Sequence, residues 1–143
     1  MGEKNTEPLT REQIRDLIRQ AIEARKMAYT PYSHYDVGAA LLAADGRIYR
    51  GCNIENAAYT PTNCAERTAF FKAVSEGEQE FCRIAIVGGK KDGALKPTSP
   101  CGVCLQVMQE FCDPDVFEVI LATAEEKYEI LKLRQLLPYG FEL

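Results

Sequence analysis

The sequence lacks any apolar run long enough to span a bilayer, and residues 1–16 contain no apolar segment of the kind that secretory signals carry. It also lacks an excess of basic residues, because 17 lysines and arginines stand against 21 aspartates and glutamates, a formal net charge of -4. Proteins that track a phosphate backbone present a basic face. We therefore expect a cytoplasmic protein that binds neither a membrane nor a nucleic acid.

Histidine is nearly absent, and we interpret the single one, His34, as an ordinary polar loop residue. Cysteine is better represented, with six residues. In a chain without a secretory signal, cysteines are more typical of metal ligands, nucleophiles or buried small side chains than of a disulfide scaffold. Cys52, Cys82 and Cys112 match no ligand pattern, and we predict that they are small buried hydrophobes.

The length and composition predict one globular domain. The chain has 143 residues, 46% hydrophobic and 27% charged, which are ordinary values for a soluble domain with a single core. Residues 1–9 are predicted to form a disordered tail, and residues 10–143 the folded domain. Because helix and strand patterns interleave along the chain, we expect an α/β fold of three layers, α/β/α, with a five-stranded mixed sheet.

A capping box predicts where the first helix begins. Thr10 followed three residues later by Gln13 is typical of a helix start, and apolar residues at helical spacing continue to about Tyr29. Alternating or short apolar segments predict the strands. They lie at residues 37–43, 47–53, 83–88, 116–122 and 128–133, the first two joined by a turn at residues 44–46.

Two further helices are predicted to begin close to cysteines. Asn63 with Glu66 forms a second capping box, and Ser99 before Pro100 supplies a cap and a first-turn proline for the third helix. Each of these helix starts follows a strand and a loop. Such starts can converge at one edge of a sheet.

Three cysteines at these helix starts have the spacing of a metal site. Cys101 and Cys104 place two thiols one helical turn apart, and Cys64 supplies the third that a simple redox pair does not need. Helix N-termini stabilise thiolates, the form that binds zinc. Three protein ligands leave the fourth tetrahedral position to water, as in catalytic zinc sites. A closed structural site of three cysteines and His34 is the alternative.

Glu66 is the candidate acid and base beside this metal. Residues two apart do not share a helix face, so a side chain at position 66 lies beside the metal that Cys64 binds rather than ligating it. A carboxylate next to zinc-bound water can take its proton and later pass it to a leaving group. The alternative is a capping glutamate without a catalytic role.

These segments carry a resemblance to a known family. Residues 64–66 (CAE) and 100–104 (PCGVC) match the signature of zinc-dependent nucleoside deaminases. Within that group, residues 10–143 are similar to the small homotetrameric cytidine deaminases. The supporting strings are YSHYDVGAAL at 32–41, NIENA at 53–57, NCAERTA at 63–69 and LLP at 136–138.

The resemblance implies an activity. One zinc ion per chain, held by Cys64, Cys101 and Cys104, would act with Glu66 in the hydrolytic deamination of free cytidine and 2′-deoxycytidine. The products would be uridine or 2′-deoxyuridine and ammonia, a step of pyrimidine salvage. The alternatives are a blasticidin-type or other aminated-nucleoside deaminase, a deaminase of bases within nucleic acid, and a structural zinc-binding interaction module.

The resemblance also implies which residues hold the nucleoside. Asn53 and Glu55 would bind the ribose hydroxyls, which suits an amide and a carboxylate. The backbone N–H of Ala65 would donate to the base, and the Ser99 carbonyl would accept from its amino group. Without the resemblance, Asn53 and Glu55 would be interpreted as a polar strand end.

Two aromatic residues and one arginine complete the implied site. Tyr35 would pack on the base, and Phe141 would reach the site of a neighbouring subunit in a homotetramer with shared sites. Arg67 would hydrogen-bond the zinc thiolates and temper their negative charge. The alternatives are core packing for the two aromatics and a solvated helix position for Arg67.

The chain departs from the family pattern at three positions. Leu105 stands where arginine is common, which removes a local charge contact and puts the tetramer interface in question. Asp36 replaces a frequent proline. Tyr35 stands where phenylalanine is usual, so its hydroxyl near the base is a candidate determinant of substrate preference.

Overall fold

The computed structural model describes residues 7–143 as interleaved helices and strands. The helices are α1 (Arg11–Arg25), α2 (Ala65–Ser75), α3 (Gly102–Phe111) and a short α4 (Leu133–Leu136). The strands are β1 (Tyr35–Ala43), β2 (Ile48–Cys52), β3 (Phe81–Lys90), β4 (Glu118–Ala124) and β5 (Lys127–Lys132). None of the helices in this part of the chain has the length and apolar character needed to cross a bilayer.

The five strands form one mixed sheet in the order β2-β1-β3-β4-β5. Strands β1 and β2 form the predicted antiparallel hairpin, and β1 also runs antiparallel to β3. The parallel pair is β3 and β4, with α3 in the crossover between them, as a parallel connection requires. The predicted class, a five-stranded mixed sheet combined with helices, is confirmed.

Both faces of the sheet are covered, which gives three layers. Successive residues of β3 point to opposite faces. Ala85 packs in the core under α1 with Leu17, whereas Ile86 packs in the core under α2 and α3 with Phe70 and Met108. This burial on both sides explains why β3 is an almost continuous apolar run.

Two glycines let helices lie directly against the strands. A Cβ atom at Gly38 of β1 would lie 2.1 Å from the carbonyl oxygen of Ala21 in α1. A Cβ atom at Gly51 of β2 would lie 2.2 Å from the carbonyl oxygen of Ala65, the first residue of α2. The first turn of α2 is therefore fixed in close contact with the sheet, and this turn carries residues of the candidate site.

The first helix begins as predicted and ends earlier. The Thr10 Oγ1 atom accepts from the Gln13 N–H at 3.2 Å, and the Gln13 side chain accepts from the Thr10 N–H at 2.8 Å, which completes the capping box. The helix ends at Arg25 rather than near Tyr29. Tyr29 is instead extended, because it forms a parallel bridge with Ile54.

The predicted caps of α2 and α3 are each wrong by at least one residue. The N-caps are Cys64 and Cys101, not Asn63 and Ser99. Asn63 exchanges two 2.9 Å backbone hydrogen bonds with Ile54, and this bridge keeps it in extended conformation ahead of the helix. The pattern of residue types indicated the helices correctly but not this long-range pairing.

The first described residues already contact the domain. Residues 1–6 of the predicted tail lie outside the described range. The Glu7 carbonyl accepts a 2.5 Å hydrogen bond from the buried Arg83, and Leu9 packs against the core under α1. The contacts of the domain therefore extend at least to Glu7.

Candidate active site

The N-termini of α2 and α3 meet and bring three cysteines together. Cys64 and Cys101 are the two N-cap residues, and their Sγ atoms lie 3.8 Å apart. Cys104 lies in the first turn of α3, and its Sγ atom is within 4.8 Å of both. We call these three residues the cysteine triad. In the part of the chain that the structure describes, no other group of three or more histidine, cysteine or acidic side chains is placed to hold a metal ion.

The geometry of the cysteine triad fits a zinc ion. Sulfur ligands about 2.3 Å from a tetrahedral zinc ion lie about 3.8 Å from one another, which is the separation of Cys64 and Cys101. His34 is exposed and is not part of the group. The alternative of a closed site with three cysteines and His34 is therefore not supported, and three protein ligands leave one zinc position open.

The electrostatics of the cysteine triad favour a thiolate at Cys64. A hydrogen bond with Cys104 lowers the pKa of Cys64 to about 5, and Arg67 contributes to the decrease. The same hydrogen bond, together with burial, raises the pKa of Cys104. Arg67 Nη2 donates to the Cys64 Sγ atom at 3.3 Å. A guanidinium is thus held against the sulfur that would carry negative charge.

Glu66 lies in the first turn of α2 with its side chain buried beside the cysteine triad. The residue is only 4% exposed. Burial, with a smaller contribution from the charge of Cys64, raises the pKa of Glu66 to about 7, and a hydrogen bond with Cys104 opposes part of the increase. A carboxyl group with a pKa near neutrality can both accept and release a proton in one reaction cycle.

Asn53 follows β2 and is already engaged with the backbone of β1. Its Oδ1 atom accepts from the Val37 N–H at 2.9 Å, and its Nδ2 atom donates to the Tyr35 carbonyl at 2.8 Å. An amide oxygen has a second lone pair and an amide nitrogen a second hydrogen. The side chain therefore has a fixed orientation and retains hydrogen-bonding capacity. This structural role was missed because no sequence signal places Asn53 opposite β1.

Glu55 is held by the turn that precedes β1. One of its carboxylate oxygens accepts from the backbone N–H groups of Tyr32 and Ser33, at 3.0 and 3.1 Å. The hydrogen bond from the Ser33 side chain lowers the pKa of Glu55, and the two backbone hydrogen bonds add to this effect. Glu55 is thus an ionised side chain held in a defined position.

Two residues implied to contact the base, Ala65 and Ser99, lie in or just before the same helix starts, and Tyr35 is hydrogen-bonded to the loop that carries Ser99. Ala65 is the first residue of α2, so its N–H has no acceptor within the helix. Ser99 is exposed in the loop that leads to Cys101. Tyr35 is half-buried at the start of β1, and its hydroxyl lies 2.7 Å from Thr98 Oγ1. Thr98 was not singled out from the sequence, because nothing local marks it as a partner of Tyr35.

Phe141 lies beside α3. Its side chain is 63% exposed, and its carbonyl accepts a 2.9 Å hydrogen bond from Gln106. In the same region Leu105 is buried in the core rather than placed at a surface charge contact. Core packing, the alternative interpretation for Phe141, is therefore wrong within one chain.

The remaining predicted positions have plain structural roles. Asp36 accepts a hydrogen bond from the Thr30 hydroxyl at 2.5 Å, which links the turn before β1 to the strand. Cys82 and Cys112 are buried, as predicted. Cys52 is only half-buried, so its prediction is correct in part.

Comparison with known proteins identifies similar sequences and structures. Residues 11–120 match the family described as the cytidine and deoxycytidylate deaminase zinc-binding region. The chain is 50% identical to the cytidine deaminase of Sporosarcina psychrophila over 128 residues, 90% of each chain. It is 50% identical to that of Halalkalibacterium halodurans over 125 residues, 87% of this chain and 91% of the relative. The crystal structure of cytidine deaminase from Burkholderia pseudomallei superposes with a TM-score of 0.79 at 44% identity, covering 88% of this chain and 97% of the other.

Proposed function

The chain belongs to the family of zinc-dependent cytidine deaminases, and we propose that its cysteine triad and Glu66 carry out the hydrolytic deamination of cytidine and 2′-deoxycytidine. The reaction replaces the amino group at C4 with oxygen from water and releases uridine or 2′-deoxyuridine and ammonia. The observation that carries the proposal is the position of Glu66. Its carboxyl group is buried in the first turn of α2, beside the three thiols of the cysteine triad.

Proton transfer is assigned to Glu66. A zinc ion held by Cys64, Cys101 and Cys104 would supply Lewis acidity, which would lower the pKa of a water molecule toward neutrality. Glu66 accepts one proton from the attacking water and delivers it to ring N3 as oxygen bonds to C4. It then carries the second proton from that oxygen to the amino group, and the C4–N bond breaks to release ammonia. Both protons of the water are thereby accounted for, on N3 and on ammonia.

The nucleoside is held by side chains whose positions are already fixed. Asn53 and Glu55 bind the ribose hydroxyls, and their existing contacts with β1 and with the turn before it hold them in place. Such preorganisation reduces the entropy lost on binding. The Ala65 N–H donates to the base, and the Ser99 carbonyl accepts from the amino group that will leave.

Arg67 and the aromatic residues complete the site. Arg67 offsets the net negative charge of three thiolates around one divalent ion, as its contact with Cys64 supports. The ring of Tyr35 packs on the base. Phe141 contributes to the site of a neighbouring subunit in a homotetramer, which accounts for an aromatic side chain left largely exposed by its own chain.

The substrate is a free nucleoside in a reducing compartment. The net charge of -4 does not suit a phosphate backbone as partner. Three cysteines kept as metal-binding thiolates suit the cytoplasm, where thiols stay reduced. In this compartment the reaction would release the C4 amino group of cytidine as ammonia and yield uridine, a step of pyrimidine salvage.

The test is the ultraviolet spectrum of cytidine incubated with purified, zinc-loaded protein, with the Glu66→Gln variant in parallel. We expect the wild type to convert the spectrum to that of uridine. The variant should retain one zinc per chain and lose at least about 100-fold of the rate, because general acid–base catalysis contributes about that much or more. Wild-type protein that holds zinc and leaves cytidine unchanged would favour another aminated nucleoside or a structural zinc module.

A further inference from the structure

One side-chain hydrogen bond joins the start of β1 to the loop between β3 and α3. The Tyr35 hydroxyl lies 2.7 Å from Thr98 Oγ1, in a partly buried position. Thr98 directly precedes Ser99 and lies three residues before Cys101. We propose that Tyr35 and Thr98 form a positioning pair that sets the Ser99 carbonyl for the amino group of the substrate. This inference rests on the proposed function.

The hydrogen bonds around Thr98 give this contact a direction. Thr98 Oγ1 donates to the Lys96 carbonyl at 3.0 Å. Because a threonine hydroxyl has one proton, Tyr35 is then the donor to Thr98. The Lys96 N–H in turn donates to the Gly88 carbonyl at 2.7 Å. The loop is thus connected through hydrogen bonds both to β1 and to β3.

Gly88 of β3 also packs against Thr98. A Cβ atom at Gly88 would lie 2.5 Å from Thr98 Oγ1 and 2.8 Å from its Cγ2 atom. The threonine side chain therefore rests directly on the backbone of β3. The hydrogen bond to Tyr35 and the close packing on Gly88 together restrict the Thr98 side chain.

The position of Thr98 is passed on to Ser99 by the chain itself. Pro100 restricts the residue before it to extended conformations, so Ser99 has a narrow range of ψ. Pro100 is buried and leads directly into Cys101, the N-cap of α3. The Ser99 carbonyl consequently has a fixed orientation between an anchored Thr98 and a metal ligand.

The pair also explains what the Tyr35 hydroxyl does in this chain. Because the Tyr35 hydroxyl donates its proton to Thr98, it is not a donor to the base. Its effect on the substrate is indirect, through the position of the loop that carries Ser99. Loss of one partner leaves the other partly buried without its hydrogen bond, which is costly, whereas replacing both with apolar groups of similar shape removes that cost. The two residues should therefore show strong energetic coupling.

The experiment compares Thr98→Val, Tyr35→Phe and the double variant in the zinc-loaded enzyme. For each single variant we expect the KM for cytidine to rise about 5- to 20-fold with little change in kcat, in line with the loss of one buried hydrogen bond. The inhibition constant of uridine, which has no C4 amino group, should change less than about 2-fold. Thr98→Ser, which keeps the hydroxyl, should resemble the wild type, and the double variant should lose less than the two single variants combined.

Two results would overturn the positioning role while leaving the proposed function intact. One is a cytidine KM unchanged in both single variants of an active enzyme. The other is an equal increase in the cytidine KM and the uridine inhibition constant with loss of bound zinc, which indicates general damage to the site. Wild-type protein that holds one zinc per chain and does not deaminate cytidine would instead contradict the proposed function, and the positioning role with it.

Discussion

The Sγ atoms of Cys64 and Cys101 lie 3.8 Å apart although the residues are 37 positions apart in the sequence. Each residue is the N-cap of its helix, so both sulfur atoms lie where unpaired N–H groups give a partial positive charge. The site is therefore built from two helix ends that the sheet brings together. Its integrity depends on the packing of α2 and α3 as well as on the ligands.

Substitution of one ligand should abolish zinc binding without unfolding the chain. Cys101 is exposed, so Cys101→Ser removes a thiolate and creates no cavity. We expect zinc affinity to fall more than about 100-fold. This is more than the loss of a residue that only hydrogen-bonds a metal ligand, which costs about 10- to 100-fold. Zinc per chain after dialysis against a weak chelator measures this, with circular dichroism to confirm folding. Cys52→Ser, outside the cysteine triad, is the matched control and should keep one zinc; full zinc retention by Cys101→Ser would contradict the ligand assignment.

Arg67 should influence the metal through its charge. Arg67→Gln keeps a donor near Cys64 but removes the guanidinium that lies 3.3 Å from its sulfur. We expect a decrease of about 10- to 100-fold in zinc affinity or in kcat, as for other partners of metal ligands. Competition with a chelator gives the affinity, and Arg47→Gln on the exposed hairpin turn is the control. Equal zinc affinity and equal kcat in both variants would show that the contact of Arg67 with Cys64 does not influence the metal.

Much of the site was predictable because its signals are local. The spacing of Cys101 and Cys104, a third thiol at Cys64 and the adjacent Glu66 are all visible in short segments. The cap of α2 was predicted one residue too early, because asparagine is a preferred N-cap residue type and cysteine is not. The bridge between Asn63 and Ile54 explains why the helix begins after Cys64. The cap positions therefore had to come from the fold.

The contacts that position the proposed substrate-binding residues could not be predicted, because they join segments far apart in the sequence. The Asn53 side chain forms hydrogen bonds with the backbone of β1, and the Tyr35 hydroxyl forms one with Thr98, 63 positions further along the chain. Neither contact follows from residue type or periodicity, since both depend on strand register and on the path of a loop. Sequence patterns identified the chemical groups, and the sheet determines how they are held.

Gly51 should be intolerant of any side chain, because α2 rests on it. The Cβ atom of Gly51→Ala would lie 2.2 Å from a backbone carbonyl of α2. We expect a loss of about 3 kcal/mol or more in the free energy of unfolding, since the neighbour is backbone and cannot rotate away. Thermal unfolding should show a Tm about 10 °C lower. Gly102→Ala, where a Cβ atom would meet nothing within 4 Å, is the matched control, and equal Tm values would contradict the close packing.

Phe141 offers a direct test of a site shared between subunits. If Phe141 serves a neighbouring chain, Phe141→Ala should raise the KM for cytidine, while Glu66→Gln should abolish turnover in its own chain. Co-expression of the two variants would then assemble some sites with an intact Glu66 from one chain and an intact Phe141 from the other. We expect the mixed protein to regain low-KM activity that neither variant has alone.

The control for this experiment is co-expression of Phe141→Ala with a chain that carries both substitutions, Glu66→Gln and Phe141→Ala. No mixed site in that pair has an intact Phe141, so low-KM activity should not return. Analytical sedimentation of the wild type measures the oligomeric state independently, and we expect a tetramer. An active monomer, or equal KM values in the two mixtures, would show that Phe141 acts within its own chain or has no part in binding. The exposed side chain of Phe141 would then need a different explanation from a neighbouring active site.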